Sequence, residues 1–206
     1  MRNAPGDEGQ GHRFAPGGDF AALAAALMRA RQTILPKRLG APGPDEGQLQ
    51  AIVAAAAHAP DHGLVQPWRF VLVPQAQRAR LADAFAAALL ERDADASPEQ
   101  LAQAREKAHR SPVLLLVVVD GRRGDATVGL NERVFSAGCA VQNMLLMATA
   151  LGFGSSLTSG KALESRALRA LFSLQEGESA LCFVSLGAVL APKATRARPE
   201  PAHYLT

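Results

Sequence analysis

The apolar positions of this chain fall into blocks whose period changes from helical to strand-like and back. Beginning at Asp19, which can serve as an N-cap, FAALAAALMRARQT places Phe20, Leu23 and Leu27 on one face and predicts a first helix ending in a basic turn at Arg29 and Arg31. Prolines and glycines then break ILPKRLGAPGPDEG into an extended connection. Asp45 or Glu46 opens a second helix, in which Leu49, Ile52, Val53 and Ala56 keep the i, i+3, i+4, i+7 spacing of a buried face, and Pro60 stops it near Ala59. Trp68 to Val73 is predicted as a strand from its aromatic and β-branched content.

A helix is expected from about Gln75 to Arg92. Ser97-Pro98-Glu99-Gln100 has the form of a capping box with proline at the first helical position, and starts a helix ending near His109. Pro112 leads into VLLLVVVD, a run apolar on both faces and so expected to be an interior strand with helices above and below. Asp120 to Gly129 is a loop. From Asn131 to Leu151, small and apolar residues surround most of a long helix, which places it centrally or in a subunit interface. Gly152-Phe153-Gly154-Ser155-Ser156 reads as a glycine stop, Leu163 to Phe172 as a further helix and Ala180 to Gly187 as the last strand. The order of elements suits a mixed α+β domain and not a regular βαβ array.

Length adds a bound: 206 residues suffice for one domain with a substantial core. Residues 1–18, rich in Gly, Pro and charge, read as a disordered tail. That leaves 19–206 as the domain, whose last stretch, APKATRARPEPAHYLT, is a basic arm that does not pack on its own. Hydrophobic residues make up 48% and aromatic residues only 5%, so helices should pack through small side chains. The net charge of +3 is spread along the chain, which argues against a nucleic-acid patch. Cys139 and Cys182 each lie in apolar runs, where cysteine behaves as a small hydrophobe, and neither a disulfide framework nor a thiolate metal site is suggested. No apolar stretch reaches the roughly 18 to 20 residues needed to span a bilayer, and no leader-like segment opens the chain. The expectation is a cytoplasmic protein with no membrane contact.

Three kinds of chemistry can be weighed from the polar residues. His58 and His62 are spaced i, i+4, but Pro60 ends the helix between them and no third ligand is evident, which argues against metal. Gly152-Phe153-Gly154 follows a helix and lacks the third glycine of a dinucleotide fingerprint. No G-x-S-x-G elbow or evident Ser/Cys-His-acid set supports acyl transfer. There remain Arg31-Gln32-Thr33 at a helix end, His58 and Asp61-His62 before Gln66-Pro67-Trp68, and Leu157-Thr158-Ser159 after the glycine stop. These supply charge for a phosphate, hydrogen bonds for a heterocycle edge and hydroxyls for a polyol chain.

HAPDHGLVQPWRFVLV resembles the A-P-x-x-x-x-x-Q-P-W-x-F signature of the nitroreductase family. R-Q-T resembles the Arg-Arg-Ser at the end of that family's first helix, and GFGSSLTSG its later G-x-G turn. The likeness runs from about Asp19 to Pro199 and is similar to the small single-domain subgroup with an Ala-Pro-Asp-His loop. It implies an α+β sandwich with a mostly antiparallel central sheet flanked by helices, an intertwined homodimer that exchanges its termini, and one FMN per subunit at the interface. Carried over residue by residue, it assigns Arg31, Gln32 and Thr33 to the FMN phosphate and ribityl region, His58 and His62 to the flavin from the loop, and Leu157, Thr158 and Ser159 to its other side. Met147, Ala148, Thr149, Ala150, Leu151 and Gly152 approach a nicotinamide cofactor, and Lys193 or Arg196 adds phosphate charge. The chemistry implied is transfer of hydride from NAD(P)H through FMN to a nitroaromatic or quinone-like acceptor by a ping-pong route, with no catalytic side chain. A flavin-storing or flavin-sensing protein, and a same-fold enzyme of reductive dehalogenation or flavin fragmentation, are the alternatives. The chain departs from many family members at Leu64, where they have asparagine, and at Gln32, where they have arginine.

Overall fold

A computed structural model describes residues 18–191, 194 and 197–206. The expected N-terminal tail lies outside these residues except for Gly18, as do Lys193 and Arg196. The helices are α1 (Gly18–Ala30), α2 (Glu46–Ala54), α3 (Arg78–Leu90), α4 (Pro98–Glu106), α5 (Leu130–Ala150) and α6 (Arg166–Leu171). The strands are β1 (Leu39–Gly40), β2 (Trp68–Leu72), β3 (Val113–Asp120), β4 (Gly154–Thr158) and β5 (Glu178–Val189).

All five strands pair antiparallel in one sheet. β3 lies between β2 and β5, as its two-sided apolar character predicts. Because β3 and β4 both pair with residues Phe183 to Leu186 of β5, they occupy opposite edges of that strand, and the sheet runs β2, β3, β5, β4, with β1 on the far end of β5. The alternation of β3 sends Leu114, Leu116 and Val118 to a cluster with Leu81 and Ala88 of α3 and Leu168 of α6. Leu115 and Val117 face the other way, onto Ile52 of α2 and Ala140, Val141 and Met144 of α5. The chain is therefore an α+β sandwich with helices on both faces of an antiparallel sheet.

Local signals set most boundaries. Asp45 accepts from the Gln48 N–H at 2.8 Å while the Gln48 side chain accepts from the Asp45 N–H at 3.0 Å, closing the capping box that opens α2. Ser97 and Gln100 form the second such box, with Pro98 at the first turn of α4. The α-helical part of α2 stops at Ala54, and a tighter 3-10 turn, Ala55–His58, carries the chain to Pro60.

Several expectations are corrected. α1 ends at Ala30, so Gln32 and Thr33 are not part of the helix, while the Arg31 N–H still donates to the Leu27 carbonyl at 3.0 Å. Nothing in α1 is buried: Phe20 and Leu23 are exposed and Leu27 is half-buried, although the helix lies against α5. Gly154 to Thr158 is a strand. GSSLT has little β-propensity by itself; its pairing with β5 creates the strand. Glycine is required at the crossing, since a Cβ on Gly154 would lie 2.7 Å from Leu39 and Val189, and one on Gly187 2.7 Å from Pro112. The helix expected over Leu163–Phe172 is a 3-10 turn, Lys161–Glu164, followed by the shorter α6.

Candidate functional site

The loop from Ala55 to Pro67 is fixed at both ends by packing, since Ala55, Ala56, Val65 and Pro67 are buried. Its hinge is Asp61. One carboxylate oxygen accepts from the Gln66 N–H at 2.6 Å. The hydroxyl of Ser136 on α5 lies 3.0 Å from the other and 2.8 Å from the Pro60 carbonyl. Asp61 is thus a loop staple with a partner at each carboxylate oxygen, as a turn aspartate commonly is. Within this closure Gly63, Leu64 and Gln66 take φ of +67°, +53° and +45°, and the Leu64 side chain is left 83% exposed. Left-handed backbone at a leucine is strained, so the surrounding bonds must hold it there.

His62 projects from this loop to the first turn of α5, where its Nδ1 lies 2.7 Å from Glu132 Oε2. The hydrogen bond to the Glu132 carboxylate, and then its charge, raise the imidazole above its usual 6.5. With Nδ1 committed, Nε2 is the free position of the ring. His58 is exposed at the end of the 3-10 turn. One residue further along α5, Arg133 is buried and donates to the carbonyls of Val128, Asp120, Arg123 and Asp125 at 2.5 to 3.4 Å. It gathers the loop 121–129, which runs so near Val65 that a Cβ on Gly124 would be 3.4 Å away. Sequence reasoning missed Glu132, Arg133 and Ser136. The available signal was polar residues at i and i+3 within an otherwise small and apolar stripe, directly after a loop rich in glycine and charge.

The remaining candidates gather around β4. Thr33 forms a parallel bridge with Ser155, and the Ile34 N–H donates to the Ser155 carbonyl at 2.9 Å. Arg31 and Gln32 are half-buried and Thr33 is exposed. Beyond this bridge, among the described residues, no strand pairs with the outer edge of β4, so the backbone of Leu157 to Ser159 offers an open row of donors and acceptors beside the Thr158 and Ser159 hydroxyls. The Ser155 hydroxyl is buried there without a hydrogen-bond partner among the described residues. The segment Met147–Gly152 forms the last turn of α5 and its stop. Ala148 is buried, the Thr149 hydroxyl donates to the Leu145 carbonyl at 2.9 Å, and Gly152 takes a φ of +84° as the terminating residue.

The candidate residues therefore form two groups. Arg31 to Thr33 and Leu157 to Ser159 share the β4 edge of the sheet, near the C-terminal end of α5. His58 and His62 stand before β2, at the opposite edge, and His62 touches the N-terminal end of α5. At 1.5 Å per residue α5 is roughly 30 Å long, and the strand spacing adds roughly 14 Å across three steps of the sheet. One chain does not bring the two groups to one small ligand.

Among the described residues no serine, threonine or cysteine is hydrogen-bonded to a histidine, and no group of three His, Cys, Asp or Glu side chains could hold a metal ion. Burial pushes the Cys182 thiol up to about 11, leaving it a protonated, unreactive group. No described helix is long and apolar enough to cross a membrane.

Comparison with known proteins gives consistent matches. The model of the nitroreductase family matches residues 28–188. A Haemophilus influenzae protein provisionally named NAD(P)H nitroreductase is 36% identical over 151 residues, covering 73% of this chain and 81% of that one. The crystal structure of a nitroreductase-like family protein from Bacillus cereus superposes with a TM-score of 0.74 at 17% identity, covering 88% of this chain and 94% of the other. A provisionally assigned nitroreductase from Desulfovibrio desulfuricans, solved in complex with FMN, gives 0.68 at 24% identity, covering 88% and 95%.

Proposed function

The chain belongs to the nitroreductase family, and on that premise we propose that it is an FMN-dependent oxidoreductase that works as a homodimer and takes its electrons from NAD(P)H. The observation that carries this reading is the donor set at the β4 edge: a guanidinium, an amide, three hydroxyls and an open backbone row, with no nucleophile and base beside them. Such a set fits a phosphorylated polyol joined to a flat heterocycle, and the FMN held by the structurally similar Desulfovibrio protein is a ligand of that description.

Bound FMN supplies the redox chemistry, carrying hydride from NAD(P)H to a nitroaromatic or quinone-like acceptor in two half-reactions. The chain's own residues bind and orient. Arg31 places positive charge against the phosphate, and Gln32 and Thr33 hydrogen-bond the ribityl region. The backbone and hydroxyls of Leu157, Thr158 and Ser159 meet the heterocycle edge. A two-fold axis between two chains brings the His58 and His62 loop of one to the β4 edge of the other, and repeats the arrangement at the second site. Glu132 raises the pKa of His62 and so favours its cationic form, in which the ring sets positive charge beside the ligand and presents Nε2 as a proton donor. The surface of the turn at Ala150 to Gly152 borders the approach of the nicotinamide.

Titration of the purified protein with FMN, followed by NADH and NADPH oxidation assays with a nitroarene and a quinone, tests the proposal. The expected result is a yellow protein that consumes reductant only when an acceptor or oxygen is present. A colourless protein that takes up no FMN defeats it; retained flavin without turnover on any acceptor would turn the reading to a flavin carrier.

A further inference from the structure

On the sheet face opposite α5, a cleft of ≈ 520 Å³ opens between the α3–α4 pair and the turn that follows β4. Its size is that of a small-molecule site. The floor is apolar and rigid, with Phe85 and Phe183 packed edge to face at 5.6 Å between ring centroids and Leu114 and Leu163 beside them. The rim carries Arg92, Lys107, Arg110 and Lys161, and no carboxylate is among the lining residues. Of the acidic side chains adjacent in sequence to the lining, Glu91, Asp93, Glu99, Glu106 and Glu164, two are engaged: Glu91 accepts from the N–H groups of Arg166 and Ala167 at the start of α6, each at 3.1 Å, and Glu106 is paired with Arg110 at 2.7 Å, outside the lining. Among the described residues Lys107 and Lys161 have no ion pair. The lining also includes Thr158 and Ser159, the residues proposed to meet the flavin edge, and Pro36, shortly after Arg31 to Thr33.

An apolar, aromatic floor under a rim in which Arg110 is paired with Glu106 but Lys107 and Lys161 have no ion pair selects a flat ligand that carries a negative charge. From this juxtaposition we infer that the cleft binds the electron acceptor and that the preferred acceptor class is anionic and aromatic, an aryl carboxylate or sulfonate, with Lys107 and Lys161 receiving the charge. The inference rests on the proposed flavin function for its redox meaning, since Thr158 and Ser159 are shared between cleft and flavin edge. As a binding site it stands on the cleft alone. Lys107 and Lys161 are both exposed, so each contributes modestly and in a salt-dependent way, and the two act together on one ligand charge.

The test compares p-nitrobenzoate with the neutral, similarly shaped p-nitrobenzamide. Calorimetric titration and steady-state turnover are run on the protein as purified and on the Lys107→Met, Lys161→Met double variant, and the FMN dissociation constant is measured alongside. The expected result is that the double substitution weakens p-nitrobenzoate relative to p-nitrobenzamide by roughly tenfold, each lysine supplying one charge-assisted contact. Affinity for p-nitrobenzoate should also fall with added salt in the unsubstituted protein, and Lys161→Arg should keep most of it. Equal losses for both probes, no loss for either, or no measurable p-nitrobenzoate binding at the outset would overturn the inference. So would a comparable loss of FMN affinity, which would assign the lysines to the flavin phosphate. A protein that takes up no FMN defeats the proposed function, yet the calorimetric comparison on that same protein still decides the cleft.

Discussion

The Asp61–Gln66 loop spends conformational energy to hold two side chains in place, and both can be tested singly. His62 owes its raised pKa first to the hydrogen bond with Glu132 and then to that residue's charge. Glu132→Gln should therefore move the imidazole back toward 6.5, read from the histidine ring signals in an NMR pH titration; an unchanged value would mean the pair does not form in solution. For a histidine whose folded pKa lies above its unfolded one, the stability contribution is complete below about pH 6.5 and disappears as pH rises through the folded value. Flavin retention that depends on a cationic His62 should fade over that same interval. Leu64 is a second case: its φ of +53° suits asparagine better than leucine, and 83% of its surface is open. Leu64→Asn should raise stability by about 0.5–1 kcal/mol in urea unfolding. A destabilising Leu64→Asn would instead mean that the leucine packs against something outside its own chain. The motif around these residues was readable in the sequence, but their partners Glu132 and Ser136 lie some 70 residues further on, and no local pattern joins them.

At the level of elements, what could be read in advance was whatever local chemistry decides. The capping residues Asp45 and Ser97 open α2 and α4, and the doubly apolar β3 lies inside the sheet. What could not be read was decided by contacts remote in sequence. β4 exists because β5 lies beside it and glycines at 154 and 187 let the chains close. α1 ends at Ala30 because the following residues leave to bridge Ser155. The buried arginines belong to the same category. Arg78 donates to the carbonyls of Val73, Ala108, Ser111 and Pro112, joining the start of α3 to the end of the α4 segment, as Arg133 joins α5 to the loop 121–129. Each replaces a strand of backbone pairing that a glycine- and charge-rich loop cannot make for itself. Arg133→Met keeps the stem volume and removes the donors, so four carbonyls lose the guanidinium, with Asp125 keeping a bond from the Val128 N–H in the loop. We expect a loss of about 3 kcal/mol in global stability and faster proteolysis between Gly121 and Gly129. If the loop keeps its protease resistance, Arg133 is dispensable for positioning it.

For the whole molecule, the unresolved balance is between apolar surface and burial. α1 buries none of its residues, and Phe135 on α5 is 71% exposed in a shallow hollow with Pro60 and His62. A short helix that leans on α5 but buries none of its apolar face gains little from packing, and exposed apolar surface of this kind favours a contact between molecules. The same two regions border the two groups of candidate residues that a single chain keeps apart. The proposed two-fold dimer would cover the apolar surface and complete the ligand set in one step, which would tie oligomeric state to cofactor retention. Light scattering should then give twice the 21.6 kDa chain mass. Phe135→Glu, which places a charge on a side chain that no core of its own chain covers, should leave the fold intact by circular dichroism, shift the protein to monomer and weaken FMN binding by about a hundredfold, equivalent to about 2.7 kcal/mol. A folded monomer that holds FMN as tightly as the unsubstituted protein would show that the β4 edge suffices, and would remove the His58 and His62 loop from the flavin site.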